Sequence, residues 1–169
     1  MVRDIVIYPN EILKKPTEKV DVIDREVKNL IKDMFDTMYD AEGVGLAANQ
    51  IGVPLSVMVM DTSPKEDAPP IKLVLINPEI KEGEGKIKYK EGCLSFPGLS
   101  VEVERYQKVK INALNEHGEP VELTLEGFPA IVFQHELDHL KGITFLDRLK
   151  GWRRRMALEK YQKLLRSRK

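Results

Sequence analysis

Cysteine is nearly absent from this sequence: Cys93 is the only one in 169 residues, and histidine occurs three times. A single thiol cannot close an internal disulfide, so nothing asks for an oxidising compartment, and Cys93 must matter through ligation, reactivity or burial. Also missing is any run of about 18 apolar residues that could cross a bilayer. The opening Met1-Val2-Arg3-Asp4-Ile5 lacks the apolar core of a signal peptide. These absences exclude disulfide scaffolds and membrane spans, and the expectation is a cytoplasmic protein with no membrane or DNA partner. No internal repeat or low-complexity stretch interrupts the chain, which excludes solenoids and disordered arrays.

What is present suffices for one core. With 42% hydrophobic and 32% charged residues the chain is short for two independent domains, so a single domain over residues 1–169 is expected. Net charge is zero, yet residues 150–169 carry nine Lys/Arg against Glu159 alone, net +8, which leaves the remainder at −8. A basic tail on an acidic body reads either as a solvated helix end or as a docking segment for an anionic partner such as RNA.

Apolar periodicity predicts a helix from about Asp24 to Ala41, with Ile23, Val27, Leu30, Ile31, Met34 and Met38 on one stripe, Asp24 as N-cap and Gly43 as its left-handed stop. Leu55 to Met60 and Ile71 to Ile76 read as buried strands, the second closed by Asn77-Pro78. Lys86 to Lys90, Leu99 to Glu104 and Lys108 to Leu114 alternate as antiparallel strands do, and Asn115 to Gly118 turns the chain into Val121 to Leu125. Gly127 and Pro129 start a second helix that Gly142 ends, Ile143 to Leu146 reads as a last short strand, and a helix from about Leu149 places Trp152, Met156 and Leu164 on its packing side. The class is therefore α+β: mostly antiparallel sheets packed around a central metal-binding helix, with an N-terminal and a C-terminal helix.

The central helix carries the chemistry. His135-Glu136-Leu137-Asp138-His139 puts two imidazoles four residues apart, one turn apart on the same face, where both can reach one metal ion. Ile131 and Val132 flank them, and Phe133, Leu137 and Leu140 lie on the opposite side. Glu136 beside the pair is a candidate general acid/base. Cys93, in Glu91-Gly92-Cys93-Leu94-Ser95, is a suitable third ligand, and two imidazoles with a thiolate leave one position open, as catalytic sites do. A cation so held lowers the pKa of its water toward ~7 and makes hydroxide available for attack on a carbonyl. His117 sits in a turn and is read as turn chemistry, and Asp138 as a helix-surface aspartate.

Three segments match together: Gly43-Val44-Gly45-Leu46-Ala47-Ala48-Asn49-Gln50, Glu91-Gly92-Cys93-Leu94-Ser95, and Gln134-His135-Glu136-Leu137-Asp138-His139. In this order and spacing the chain resembles peptide deformylase over nearly its whole length. The resemblance implies hydrolysis of the N-formyl group from the initiator methionine of new polypeptides, with Fe2+ as the expected metal, although Zn2+, Ni2+ and Co2+ suit the same donors. It assigns stabilisation of the formyl oxygen to the Gln50 amide and the Leu94 N–H, and close passage of substrate to Gly43 and Gly45. It assigns a methionine pocket to Val44, Tyr89, Phe128, Ile131 and Val132, with Glu91 and Gly92 on the substrate side and Arg105 supporting Glu91. The chain departs from some bacterial members at Gly98-Leu99-Ser100, where they carry an arginine near the pocket rim. Substrates would be N-formylmethionyl peptides, and the basic tail suggests docking near the ribosome exit. Two rivals stand beside this reading: a zincin-like peptidase, whose third ligand usually lies downstream, and a metal-stabilised RNA-binding module.

Overall fold

The computed structural model describes residues 1–168, so the Lys169 end of the basic tail lies outside the described residues. The first helix, α1, runs Arg25–Asp40, and the Asp24 side chain accepts from the Val27 N–H at 3.0 Å, as its capping role requires. Val27, Leu30, Ile31, Met34 and Met38 form the buried stripe. Each such side chain contributes roughly 1.5–3 kcal/mol by leaving water, so the stripe, not the cap, fixes the helix on the body. The end of α1 differs from expectation. Glu42 takes the left-handed conformation at φ 57°, and Gly43 does not. Gly43 lies close to a neighbour instead: a Cβ there would meet Leu94 Cδ1 at 2.8 Å, a side-chain tip that would have to shift.

Seven strands follow: β1 Gly45–Ala47, β2 Val57–Asp61, β3 Lys72–Glu84, β4 Ile87–Gly92, β5 Ser100–Arg105, β6 Lys108–Leu114 and β7 Pro120–Glu126. They form two antiparallel sheets, one of order β1-β2-β3-β6-β7 and a separate β4-β5 pair. β3 does not stop at Asn77-Pro78. The ladder shifts register between Ile76 and Glu79, with Asn77 at φ 51° and its side-chain amide bonded to both backbone groups of Val20 at 2.9 Å. A bulge absorbs the donor that Pro78 lacks, and the strand continues. β1 and the 3-10 turn Ala48–Ile51 escape the periodicity reading because they are too short to repeat a pattern.

The second helix, α2, spans Phe128–Leu140 with Pro129 in its first turn, and every residue from Pro129 to Leu140 is buried. It packs against β1, β2 and β7, so it is the axis around which the larger sheet wraps. Gly142, at φ 77°, ends the run, and a Cβ there would lie 2.7 Å from the backbone carbon of Lys15. Backbone cannot yield as a side chain tip can. Gly142→Ala is therefore expected to destabilise the fold by about 2 kcal/mol or more, read as a fall in the urea midpoint; an unchanged midpoint would contradict the fit.

Two expectations fail near the C-terminus. Ile143 to Leu146 is no strand: Phe145–Arg148 is a 3-10 turn, closed by Asp147 accepting from the Thr144 N–H at 2.9 Å. The helix α3, Gly151–Ser167, turns Trp152 and Met156 outward, 63% and 58% exposed. Its inward side is Tyr161, buried among Phe96, Leu99 and Phe145, with Leu164 alongside as expected. The Tyr161 hydroxyl donates to the Tyr8 carbonyl at 2.7 Å, which satisfies its polar end. No helix among the described residues is long and apolar enough to cross a membrane.

Candidate metal centre

His135 and His139 leave α2 on one face with their Nε2 atoms 3.3 Å apart, and the Cys93 Sγ lies 3.3 Å from His139 Nε2. Ligating atoms of these three residues all fall within 4.8 Å of one another, the span of donors around a single first-row ion. His139 is fully buried, and its Nδ1 has no hydrogen-bond partner among the described residues. The chemistry of the set, two imidazoles and a thiol with no fourth ligand grouped with them among the described residues, fits a divalent transition metal with an open position.

Three elements aim these groups. The buried body of α2 fixes both histidines, the end of β4 delivers Cys93, and the segment β1–Ile51 brings Gln50 across from the other sheet. Gln50 Oε1 accepts from the Ala47 N–H at 2.9 Å, which turns its amide nitrogen toward Ser95 Oγ at 3.1 Å and Cys93 Sγ at 3.8 Å. Backbone bonds of the turn after Cys93 run from the Phe96 N–H to Cys93 and from the Leu99 N–H to Phe96, and neither uses the N–H of Leu94.

His135 Nδ1 meets Glu91 Oε1 at 2.8 Å, and Arg105 grips Glu91 with two bonds of 2.9 Å, the expected pairing. Burial alone would raise the Glu91 carboxyl, yet bonds from Arg105 and His135 hold it below the usual range. Burial likewise would push His135 down, but Cys93, Glu136 and Glu91 hold its imidazole well above the ordinary value, while buried His139 is pushed well below it. Asp138 is not a surface residue. Only 3% exposed, it accepts from Arg105 at 2.6 Å and from Arg148 at 2.9 and 2.6 Å. A helix-face aspartate gives no sign of burial in sequence when the cations that neutralise it come from other elements.

Glu136 borders the cleft and is 5% exposed, with Oε1 free of any partner among the described residues. Burial raises its carboxyl to about 7. The opposite wall is Gly45, where a Cβ would stand 2.7 Å from Glu136 Oε2 and 2.9 Å from Val132 Cγ1. Gly45→Ala is thus expected to displace Glu136 and to reduce turnover at least tenfold while metal content holds; full activity would show that the carboxylate has room to move.

A cleft of about 480 Å³ opens on these groups. Its lining brings together the residues that the sequence assigned to metal, catalysis and substrate, all but His139, which lies beneath: Gly43, Val44, Gly45, Gln50, Tyr89, Glu91, Gly92, Cys93, Leu94, Phe128, Ile131, Val132, His135 and Glu136. Tyr89 and Phe128 pair at 5.6 Å between ring centres, and the Lys65 ammonium sits 5.2 Å from Phe128 and 5.7 Å from Tyr89. Sequence reasoning missed Lys65, Ser95 and Arg148; Ser95 alone had a local sign, its place in the cysteine motif. Within Gly98-Leu99-Ser100, Gly98 holds φ 81°, a conformation that favours glycine, in ordinary contact with Leu164 of α3. His117 is exposed in its turn, as expected.

A sheet-wrapped helix with an imidazole pair, a thiol from a neighbouring strand end and a buried carboxylate on an open cleft defines a metal-dependent hydrolase. The family model for polypeptide deformylase matches residues 2–155. The chain is 95% identical over 169 residues, all of both chains, to a peptide deformylase of Aquifex aeolicus, and 45% identical over 159 residues, 94% of each, to one of Desulfotalea psychrophila. A crystal structure of the Legionella pneumophila peptide deformylase superposes with a TM-score of 0.90 at 43% identity, covering 99% of this chain and 98% of that one. This chain belongs to the polypeptide deformylase family. Membership decides against the zincin-like peptidase and the RNA-binding module.

Proposed function

We propose that Cys93, His135 and His139 hold one divalent metal, Fe2+ in the first instance, and that Glu136, Gln50 and Leu94 carry the deformylation of N-formylmethionyl peptides around it. The carrying observation is the meeting of the three donors within 4.8 Å beneath a cleft that Glu136 borders. A bound divalent cation supplies Lewis acidity, both to a water and to the formyl carbonyl.

The chain's own groups do the rest. Glu136 takes the proton released as water adds to the formyl carbon and returns it to the departing amine. In the metal-free protein burial raises this carboxyl to about 7, and a bound cation beside it would draw it lower, toward the form that accepts a proton. Negative charge arising on the formyl oxygen is met by the Gln50 amide, already oriented by Ala47, and by the Leu94 N–H. The methionine side chain enters between Val44, Ile131 and Val132, with Tyr89 and Phe128 farther out, while Gly43, Gly45 and Gly92 let the peptide backbone pass close. Products are formate and a free amino terminus.

The whole chain is proposed as one cytoplasmic catalytic domain, with the basic α3 as an appended face for the ribosome. Formate release from a formyl-Met tripeptide tests the reading: activity should vanish on chelation and return with Fe2+ under anaerobic conditions. Cleavage of an internal peptide bond, or activity indifferent to chelator, would overturn it. Salt-sensitive ribosome binding should be lost on removing residues 150–169; binding unchanged by that deletion would refute the docking role.

A further inference from the structure

The face of α2 turned away from the cleft, Gln134, Leu137 and Asp138, lines a separate hollow of about 240 Å³ together with Lys141 just past the helix end. Arg148 stands on it, its side chain 45% exposed, at the end of the Phe145–Arg148 turn. From there a line of opposite charges runs inward. Arg148 grips both oxygens of Asp138 at 2.9 and 2.6 Å, Asp138 takes Arg105 at 2.6 Å, Arg105 forks onto Glu91 at 2.9 Å, and Glu91 holds His135 Nδ1 at 2.8 Å. Nothing in the deformylation chemistry uses the outer half of this line.

Its charge count gives it a purpose. Glu91, Arg105 and Asp138 are each about 95% or more buried, and Arg105 alone cannot balance two carboxylates, so His135 faces Glu91 at one end and Arg148 faces Asp138 at the other. Leaving a buried ion short of a partner costs several kcal/mol, so the geometry of the three depends on the cation that closes the line. Asp138 Oδ2 accepts from both arginines, so where Arg148 holds Asp138 determines where Arg105 can stand. Arg105 in turn fixes the carboxylate that orients His135, and a partner on the far nitrogen of a ligating imidazole sets its orientation and basicity.

We propose that Arg148 is a positioning residue for the metal centre, acting through Asp138, Arg105 and Glu91 on His135. The proposal rests on Cys93, His135 and His139 as the metal ligands. It is tested on holoenzyme by the rate of metal release to a chelator and by the visible absorption of the Co2+ form. Arg148→Met should release metal about tenfold faster, toward the lower end of what outer partners of ligands contribute, and shift the Co2+ bands. Arg148→Lys should fall between, since an ammonium restores charge but not the two-point grip. Arg154→Ala, which breaks only the exposed 3.4 Å pair with Asp147 on the neighbouring turn, should match the parent. Equal loss of thermal stability in metal-free and metal-loaded Arg148→Met, with release rate and spectrum unchanged, would reduce Arg148 to a structural brace and overturn the proposal. Retention of metal by His139→Ala would instead overturn the ligand assignment on which it stands.

Discussion

Glu136→Ala should leave one metal per chain and lower kcat/KM for formate release by roughly 10²–10⁴-fold, the usual contribution of a positioned acid/base. Glu136 lies beside, not among, the three donor atoms, so its removal takes away the proton acceptor and leaves the ligands. Glu136→Gln keeps the shape and should be nearly as inactive, because an amide does not accept the proton. The glutamine variant carries a second expectation of opposite sign. In the metal-free protein burial raises the Glu136 carboxyl from 4.5 to about 7. A carboxyl whose folded pKa lies above its unfolded one favours folding while protonated, so this contribution is present below about 4.5 and is lost as pH rises through 7. Metal-free Glu136→Gln should accordingly exceed the parent in stability at pH 8 by about 3 kcal/mol, and the gain should vanish near pH 4. Metal analysis, formate assay and denaturant melts on one preparation test all of this. A variant that loses metal with its activity would return Glu136 to a structural role.

The second large effect concerns Cys93. Cys93→Ala should abolish retention of metal through dialysis, and with it both activity and the stabilisation that metal confers. That stabilisation grows as RT ln(1 + [metal]/Kd), about 4 kcal/mol at a thousandfold excess over Kd, so the parent's melting temperature should rise on adding metal and the variant's should not. The side chain is small and only partly buried against Phe96 and its neighbours, so alanine costs little packing and the metal-free forms should melt alike. Full metal occupancy in Cys93→Ala would remove the thiol from the ligand set.

Both predictions concern residues legible in the chain, and the reason is local. On a helix, residues four apart share a face whatever surrounds them, so His135 and His139 can be paired from spacing alone. Strands of period two and turns of glycine, proline and asparagine are equally local, which is why β6, Lys108–Leu114, falls where alternation places it. Asn77-Pro78 and Ile143–Leu146 fail for the complementary reason. Whether a proline ends a strand or sits in a bulge depends on Val20, far away in sequence, supplying a partner for Asn77. Whether four apolar-rich residues become a strand depends on pairing with a neighbouring edge; Phe145–Arg148 lies against β5 without pairing to it, and the bond between Thr144 and Asp147 closes a turn instead. Trp152 and Met156 show the same limit: helical spacing gives a stripe, but which stripe faces inward is set by what Tyr161 and Leu164 meet.

By itself, then, the sequence determined the histidine pair that could hold a metal, the carboxylate beside it and the three motifs that place the chain in its family, because short spacings and residue chemistry survive without coordinates. Only the tertiary structure decided that Asp138 is buried, that Arg148 closes a line of charge reaching His135, and that Gly45 is kept bare to admit Glu136. Each of those depends on elements remote in sequence arriving within about 3 Å of one another, and a buried charge is tolerable only where the fold delivers its partner.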